Sequence, residues 1–293
     1  MRGPLKIAAA PITWGVSEVP GWGRQLDAGR VLAEIARAGL VATELGPHGF
    51  LPEDPAELKA RLAAHGLALV GGFVPAVLHR AEVQDEELAR IEACARSLAD
   101  AGAEVLVLAA RTGAPGYDVS RTPTEAEWET LRRGVAATLE IGRRHGLVVA
   151  VHPHVGTLIE KEREIRRLLE STEAPLCLDT GHLTVAGVDP LRLAREAAGR
   201  IAHVHLKDVD SALAAQVRSG GLGYHEAVRR GLYRRLGEGD VDVAGVVEIL
   251  REQGYDGWYV LEQDLVIEGD GDGDRPLENA LHSVRFLSRW MAA

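Results

Sequence analysis

Short apolar runs alternate eight times with helix-patterned stretches along this chain. The runs lie at 5–12, 41–45, 67–74, 104–110, 147–152, 175–178, 201–206 and 258–261. They are almost wholly apolar, as strands buried on both faces are. The stretches between them carry apolar residues at helical spacing, for example Val31, Leu32, Ile35 and Ala36, then Leu58, Leu62 and Ala63, then Leu88, Ile91, Ala95 and Leu98. Glycines close several of these stretches (Gly39, Gly66, Gly102, Gly146, Gly254), and Pro55 and Pro190 open others. Longer helices are expected over 124–145, 160–171, 243–253 and 276–291. A strand with its helix takes roughly 30 to 40 residues, so 293 residues hold eight units. The pattern predicts one (β/α)₈ barrel domain spanning 1–293 with no linker; two domains are the alternative that the length leaves open. One segment breaks the repeat. Residues 209–236 are basic and helix-prone, contain Gly220, Gly221 and Gly223, and follow the seventh strand, which places them over the barrel mouth.

Composition narrows the partners. A hydrophobic content of 46% with 26% charged residues is ordinary for a chain with a large core. The net charge of −10 argues against a nucleic-acid backbone as partner. Cys94 and Cys177 lie in no CxxC or CxxH pattern, so neither a disulfide framework nor a structural zinc site is expected, and a reducing, cytoplasmic setting fits. No apolar stretch reaches membrane-spanning length and the N-terminus lacks a signal-peptide pattern, so no membrane partner is expected. A small soluble molecule is the expected substrate, and homo-oligomerisation is left open.

In such a barrel, reactive groups belong at the carboxyl ends of the strands. Polar residues gather there: Glu44 after the second strand, His152 and His154 after the fifth, and Asp179 and His182 after the sixth. His203, His205, Lys207 and Asp208 follow in the HVHLKD stretch of the seventh, and Glu262 ends the eighth. A lone histidine at a strand end is most often structural. Five of them converging with acids on one rim point to a divalent ion, Mn²⁺ or Co²⁺ first, with Mg²⁺, Fe²⁺ and Zn²⁺ also compatible. Such an ion can hold a carbonyl and a neighbouring hydroxyl while a base removes the α-proton.

The LDTGH run (178–182), HVHLKD (203–208) and the glutamate of the eighth strand resemble the xylose isomerase-like barrels, which include sugar isomerases, epimerases and endonuclease IV. The resemblance covers nearly the whole chain. It implies metal ligands at His152, Asp179, His205 and Glu262, with His182 contacting substrate. The epimerases carry a glutamate followed by proline on the fifth strand, where this chain has His152-Pro153, so a mechanism with two opposed carboxylates is not expected. The run HPHVGT (152–157) followed by Glu160, TELG (43–46) and EQD (262–264) is instead similar to the inosose (2-keto-myo-inositol) dehydratases. The opening API-T-W resembles that group too, except that Thr13 stands where it has asparagine.

The expectation is therefore a metal-dependent dehydratase that removes water from an inosose or similar keto-cyclitol through an enolate. Glu262 is the candidate base, and His154 or Lys207 the acid. Glu44, His182, Trp14 and His203 are the candidate substrate contacts. The alternative is a sugar or hydroxypyruvate-type isomerase or epimerase using a metal-bound enediolate. An abasic-site nuclease would need a basic face that the charge disfavours, and a non-catalytic sugar-binding barrel would hold no ion. Three other features read as structural. The acidic run 268–274 lacks the last ligand of a calcium loop. Gly71-Gly72 lacks dinucleotide spacing. Arg229, Arg230, Arg234 and Arg235 fit a solvated helix face better than a phosphate clamp.

Overall fold

The first two helices begin where a side chain takes over their free amide groups. Asp27 accepts from Gly29 and Arg30 at the head of α1 (Ala28–Arg37), and Asp54 from Ala56 and Glu57 at α2 (Pro55–Ala63). Helix α3 (Ala81–Ala101) stops at Gly102 in the left-handed region. Helix α4 (Glu125–His145) opens with a Thr124–Glu127 capping box and ends at Gly146. The computed structural model describes residues 3–269 and 274–291. Four residues of the acidic run, 270–273, lie outside the described residues.

The strands are β1 (Lys6–Ala9), β2 (Ala42–Thr43), β3 (Ala68–Leu69), β4 (Gly71–Ala76), β5 (Val105–Ala110), β6 (Val148–Val151), β7 (Leu176–Asp179) and β8 (Ile201–Leu206). Next come β9 (Asp208–Val209), β10 (Tyr233–Arg234) and β11 (Trp258–Leu261). The main sheet runs β3-β2-β1-β11-β8-β7-β6-β5-β4, and every pair in it is parallel. Its two ends are halves of one strand. Val70, between β3 and β4, donates to the Thr43 carbonyl at 2.9 Å and accepts from Glu104 and Val105 at 2.9 and 3.1 Å. The nine segments thus make eight barrel strands joined into a ring, the expected (β/α)₈ fold.

The first strand is shorter than predicted. Pro11 has no N–H for a ladder and starts a 3₁₀ turn, Pro11–Trp14. The remaining helices are α5 (Glu162–Ser171), α6 (Thr180–Ala186), α7 (Pro190–Glu196), α8 (Ser211–Arg218), α9 (Tyr224–Arg229), α10 (Val243–Glu252) and α11 (Arg275–Met291). Helix α6 was not expected from the sequence; two amides at its head, Gly181 and His182, donate to one oxygen of Asp179. The segment after the seventh barrel strand folds as predicted in kind, with α8 and α9 between the antiparallel strands β9 and β10.

Alternation along the strands sorts the residues. Ile7, Leu106, Leu108, Val149, Leu178, Val204 and Leu206 join the large core between sheet and helices. Their neighbours Ala8, Ala42, Val260, Val107, Ala150 and Cys177 form small separate clusters in the barrel interior. The same inward rows continue upward as polar residues. A further apolar cluster, including Trp22, Tyr117, Val155, Tyr224, Val228 and Tyr233, roofs the mouth. Among the described residues, no helix is long and apolar enough to cross a membrane. Both cysteines are free, Cys94 half-buried and Cys177 buried.

Candidate active site

The inward row of β8 carries His203 and then His205, and Lys207 follows just beyond the strand. Residues 42 and 44, 150 and 152, 177 and 179, and 260 and 262 obey the same alternation. The polar member of each pair therefore lies at the carboxyl end. A cavity of about 680 Å³ opens there, within the range of small-molecule sites. Glu44, His152, His154, His182, His205, Lys207 and Glu262 line it.

Asp179 divides its carboxylate between two tasks. Oδ1 accepts from the Gly181 and His182 amides at 2.8 Å each, capping α6. Oδ2 lies 3.3 Å from His152 Nε2, 3.5 Å from His205 Nδ1 and 3.3 Å from Lys207 Nζ. Glu262 Oε2 is 3.3 Å from His205 Nδ1 and 2.8 Å from Lys207 Nζ. Of the four residues expected to hold a metal, His152 and His205 thus meet one Asp179 oxygen, and Glu262 joins them through His205.

Glu44 and His203 sit behind this group. Glu44 Oε1 faces His203 Nε2 at 2.7 Å and His205 Nε2 at 3.0 Å. His205 Nδ1 faces the oxygens of Asp179 and Glu262 on the other side of the ring. No hydrogen bond satisfies that buried nitrogen, nor His152 Nδ1. Imidazoles and carboxylates gathered in a buried space suit a bound cation. The carboxylates of Glu44, Asp179, Glu262 and Asp264 outnumber the fixed positive charge of Lys207, which also suits a divalent ion. Asp179, His205 and Glu262 form one group of closely spaced potential ligands, and His152, Asp179 and His182 another. The donors are nitrogen and oxygen, a set compatible with borderline metals. Burial holds the Cys177 thiol up at about 11, so it offers no thiolate.

Charges in the site hold one another in place. Burial opposes ionisation of Asp179, but the Lys207 charge, with hydrogen bonds from His152 and His205, keeps its carboxyl well below the usual range. Glu262 is likewise lowered against burial by His205 and Lys207. Burial works against the Lys207 ammonium, and Asp179, Asp264 and Glu262 outweigh it, raising Lys207 well above its ordinary value. His205 is raised despite burial by its negative neighbours. Burial pushes His154 and His182 well below 6.5, so both rings are neutral. His154 Nδ1 donates to the Val155 carbonyl at 2.7 Å, which leaves Nε2 as an acceptor and makes this residue a poor proton donor. Burial, with Glu262 nearby, pushes Asp264 up to about 6.

Two expected substrate contacts are not brought to the cavity. Trp14 is fully buried, with its indole N–H donating to Glu34 at 2.8 Å, because the 3₁₀ turn directs it into the core. Trp22 lines the mouth instead, tied to the Leu265 carbonyl at 2.8 Å and stacked on His225. His203 is fully buried behind Glu44 and does not line the cavity. Thr13 bridges β11, donating to the Leu261 carbonyl and accepting from the Gln263 amide. Asp208, last of the HVHLKD run, is structural: its carboxylate accepts from Val209, Gly237, Gly239 and Val241. The four arginines of the insertion pair with surface acids, Arg230 with Glu226 and Arg234 with Asp210, for example, and none lines the cavity.

Sequence reasoning missed Tyr224 and Tyr233, and named Asp264 within the EQD run without giving it a role. Asp264 stands two residues beyond Glu262 and 3.0 Å from Lys207, so its even spacing was a usable signal. Nothing in the pattern of the insertion marks either tyrosine.

Residues 32–290 match the family described as xylose isomerase-like TIM barrel. The chain is 34% identical over 272 residues to an inosose dehydratase of Geobacillus kaustophilus, covering 89% of this chain and 88% of that protein. It is 35% identical over 298 residues to the rhizopine catabolism protein MocC of Rhizobium meliloti, covering 99% and 89%. Among solved structures, the IOLI protein with a bound zinc atom superposes with a TM-score of 0.73 at 14% identity, covering 99% of this chain and 100% of that one.

Proposed function

The chain belongs to the xylose isomerase-like TIM barrel family, and from that premise we propose that it is a carbon–oxygen lyase that dehydrates a keto-cyclitol such as an inosose. The similarity to an inosose dehydratase over 89% of this chain supports the reaction class. The observation that carries the mechanism is the pair Glu262–Lys207, an acceptor and a donor 2.8 Å apart on one side of the cavity. Elimination takes a proton from one carbon and a hydroxyl from its neighbour, so an adjacent base and acid suit it. Epimerisation calls for a base on one face of a single carbon and an acid on the other.

We assign Glu262 as the base for the α-proton and Lys207 as the donor to the departing β-hydroxyl. The C–H pair becomes the new double bond, the C–O pair leaves with oxygen, and the Lys207 proton completes the water. Glu262 then holds one proton more and Lys207 one fewer, and their contact lets that proton return. The neutral ring of His154 offers its Nε2 as an acceptor to a substrate hydroxyl. Asp179, His205, Glu262 and His152 are the residues that would hold a divalent metal, with Mn²⁺ or Co²⁺ as our assignment. When bound, that ion supplies positive charge beside the ketone oxygen.

Incubation with 2-keto-myo-inositol and Mn²⁺ should give a conjugated diketone absorbance. Mere interconversion of ketose and aldose isomers would replace the lyase reading with an isomerase.

A further inference from the structure

The insertion after β8 sends two buried hydroxyls into the site. Tyr224 Oη lies 2.9 Å from Asp264 Oδ2 and 3.0 Å from Tyr233 Oη, and Tyr233 Oη lies 3.4 Å from His182 Nδ1. On the far side, Lys207 Nζ is 3.0 Å from His182 Nε2 and forms a 3.0 Å ion pair with Asp264 Oδ1. Five side chains thus form a closed circuit.

Chemistry fixes its direction. An ammonium only donates, so His182 Nε2 accepts from Lys207 and the ring carries its proton on Nδ1. That N–H points to Tyr233 Oη, Tyr233 donates to Tyr224, and Tyr224 donates to Asp264. Every member is buried, so water does not compete for these bonds. Tyr233 also presents its ring to Lys207 Nζ, 5.2 Å from the centroid. Gly181 makes the approach feasible, because a Cβ there would stand 2.5 Å from Lys207 Cβ and 2.8 Å from Tyr233 Cε1.

We propose that Tyr224 and Tyr233 are positioning residues of the dehydration, acting through this circuit to fix the Lys207 ammonium and the His182 ring. The insertion is then part of the reaction machinery as well as a cover. The role in dehydration rests on the lyase reading above; the circuit itself does not.

Y224F and Y233F each remove one oxygen and keep the ring. Each should lower kcat about tenfold or more on 2-keto-myo-inositol with Mn²⁺, with KM within about twofold and the melting temperature nearly unchanged. The double variant should be no worse than the poorer single one, because members of one circuit act as a unit. Unchanged kcat in both single variants, or losses that multiply in the double, would overturn the proposal. Nitrogen NMR of the zinc-loaded protein should find His182 neutral with its proton on Nδ1; a proton on Nε2 would reverse the circuit and sink it. If the wild-type protein fails to dehydrate the inosose, the lyase reading falls first, and the nitrogen spectrum still accepts or rejects the circuit.

Discussion

Lys207 is surrounded by three carboxylates and one imidazole, and its length brings one proton donor to all of them. Replacing it with methionine keeps much of the volume and removes the donor. K207M should lower kcat by about 10² to 10⁴, the usual share of a positioned acid, while a folded barrel persists by circular dichroism. Activity near the wild-type value would remove Lys207 from the reaction. Gly181 has a separate reason for its identity. G181A would push a methyl group into Lys207 and Tyr233, costing about 1 to 3 kcal/mol of stability as overpacking does, measurable by urea unfolding. The glycine of the LDTGH run thus serves close packing. Its identity was legible in the sequence only through resemblance, since no spacing rule reveals which two side chains will meet there.

At the scale of elements, the site follows from alternation. Because strand side chains alternate, the two-residue spacing of His203 and His205 puts both on one face of β8, and the structure carries Lys207, just past the strand, into the same row. The same rule would have added Asp264 to Glu262. It gives no guide to Trp14, which lies beyond the first strand in a 3₁₀ turn that directs its side chain into the core. It also missed α6, whose seven residues are too few to show a helical period. The tyrosines of the insertion were illegible for another reason: their positions depend on how α8, α9 and the β9–β10 ribbon fold over the mouth.

The capping box of α4 gives an element-scale test of pH dependence. Hydrogen bonds from Arg121 and Thr124 hold the Glu127 carboxyl down at about 2, from an ordinary 4.5. A lowered carboxyl contributes stability in full above the unfolded value and loses it as pH falls through the folded one. The melting-temperature gap between wild type and E127Q should therefore be widest near neutrality and close between pH 4.5 and about 2. A gap that stays constant across that window would show that Glu127 acts through packing alone.

For the whole molecule, the metal cluster predicts a ligand-dependent stability. Mn²⁺ at a free concentration one hundred times its Kd should stabilise the fold by about 2.7 kcal/mol, raising the melting temperature by several degrees. Chelation should reverse the shift, and D179N should abolish it. A melting curve indifferent to divalent ions would argue for a metal-free barrel. The ring of strands has a further consequence for how the site comes into being. β1 pairs with β11, Lys6 opposite Trp258, so the sheet closes only when nearly the whole chain is available. Glu44 and Glu262 approach His205 from strands on opposite sides of that seam. A chain that ends before β11 lacks Glu262, so a metal held by this group would be taken up only once the last strand has docked and the fold is complete.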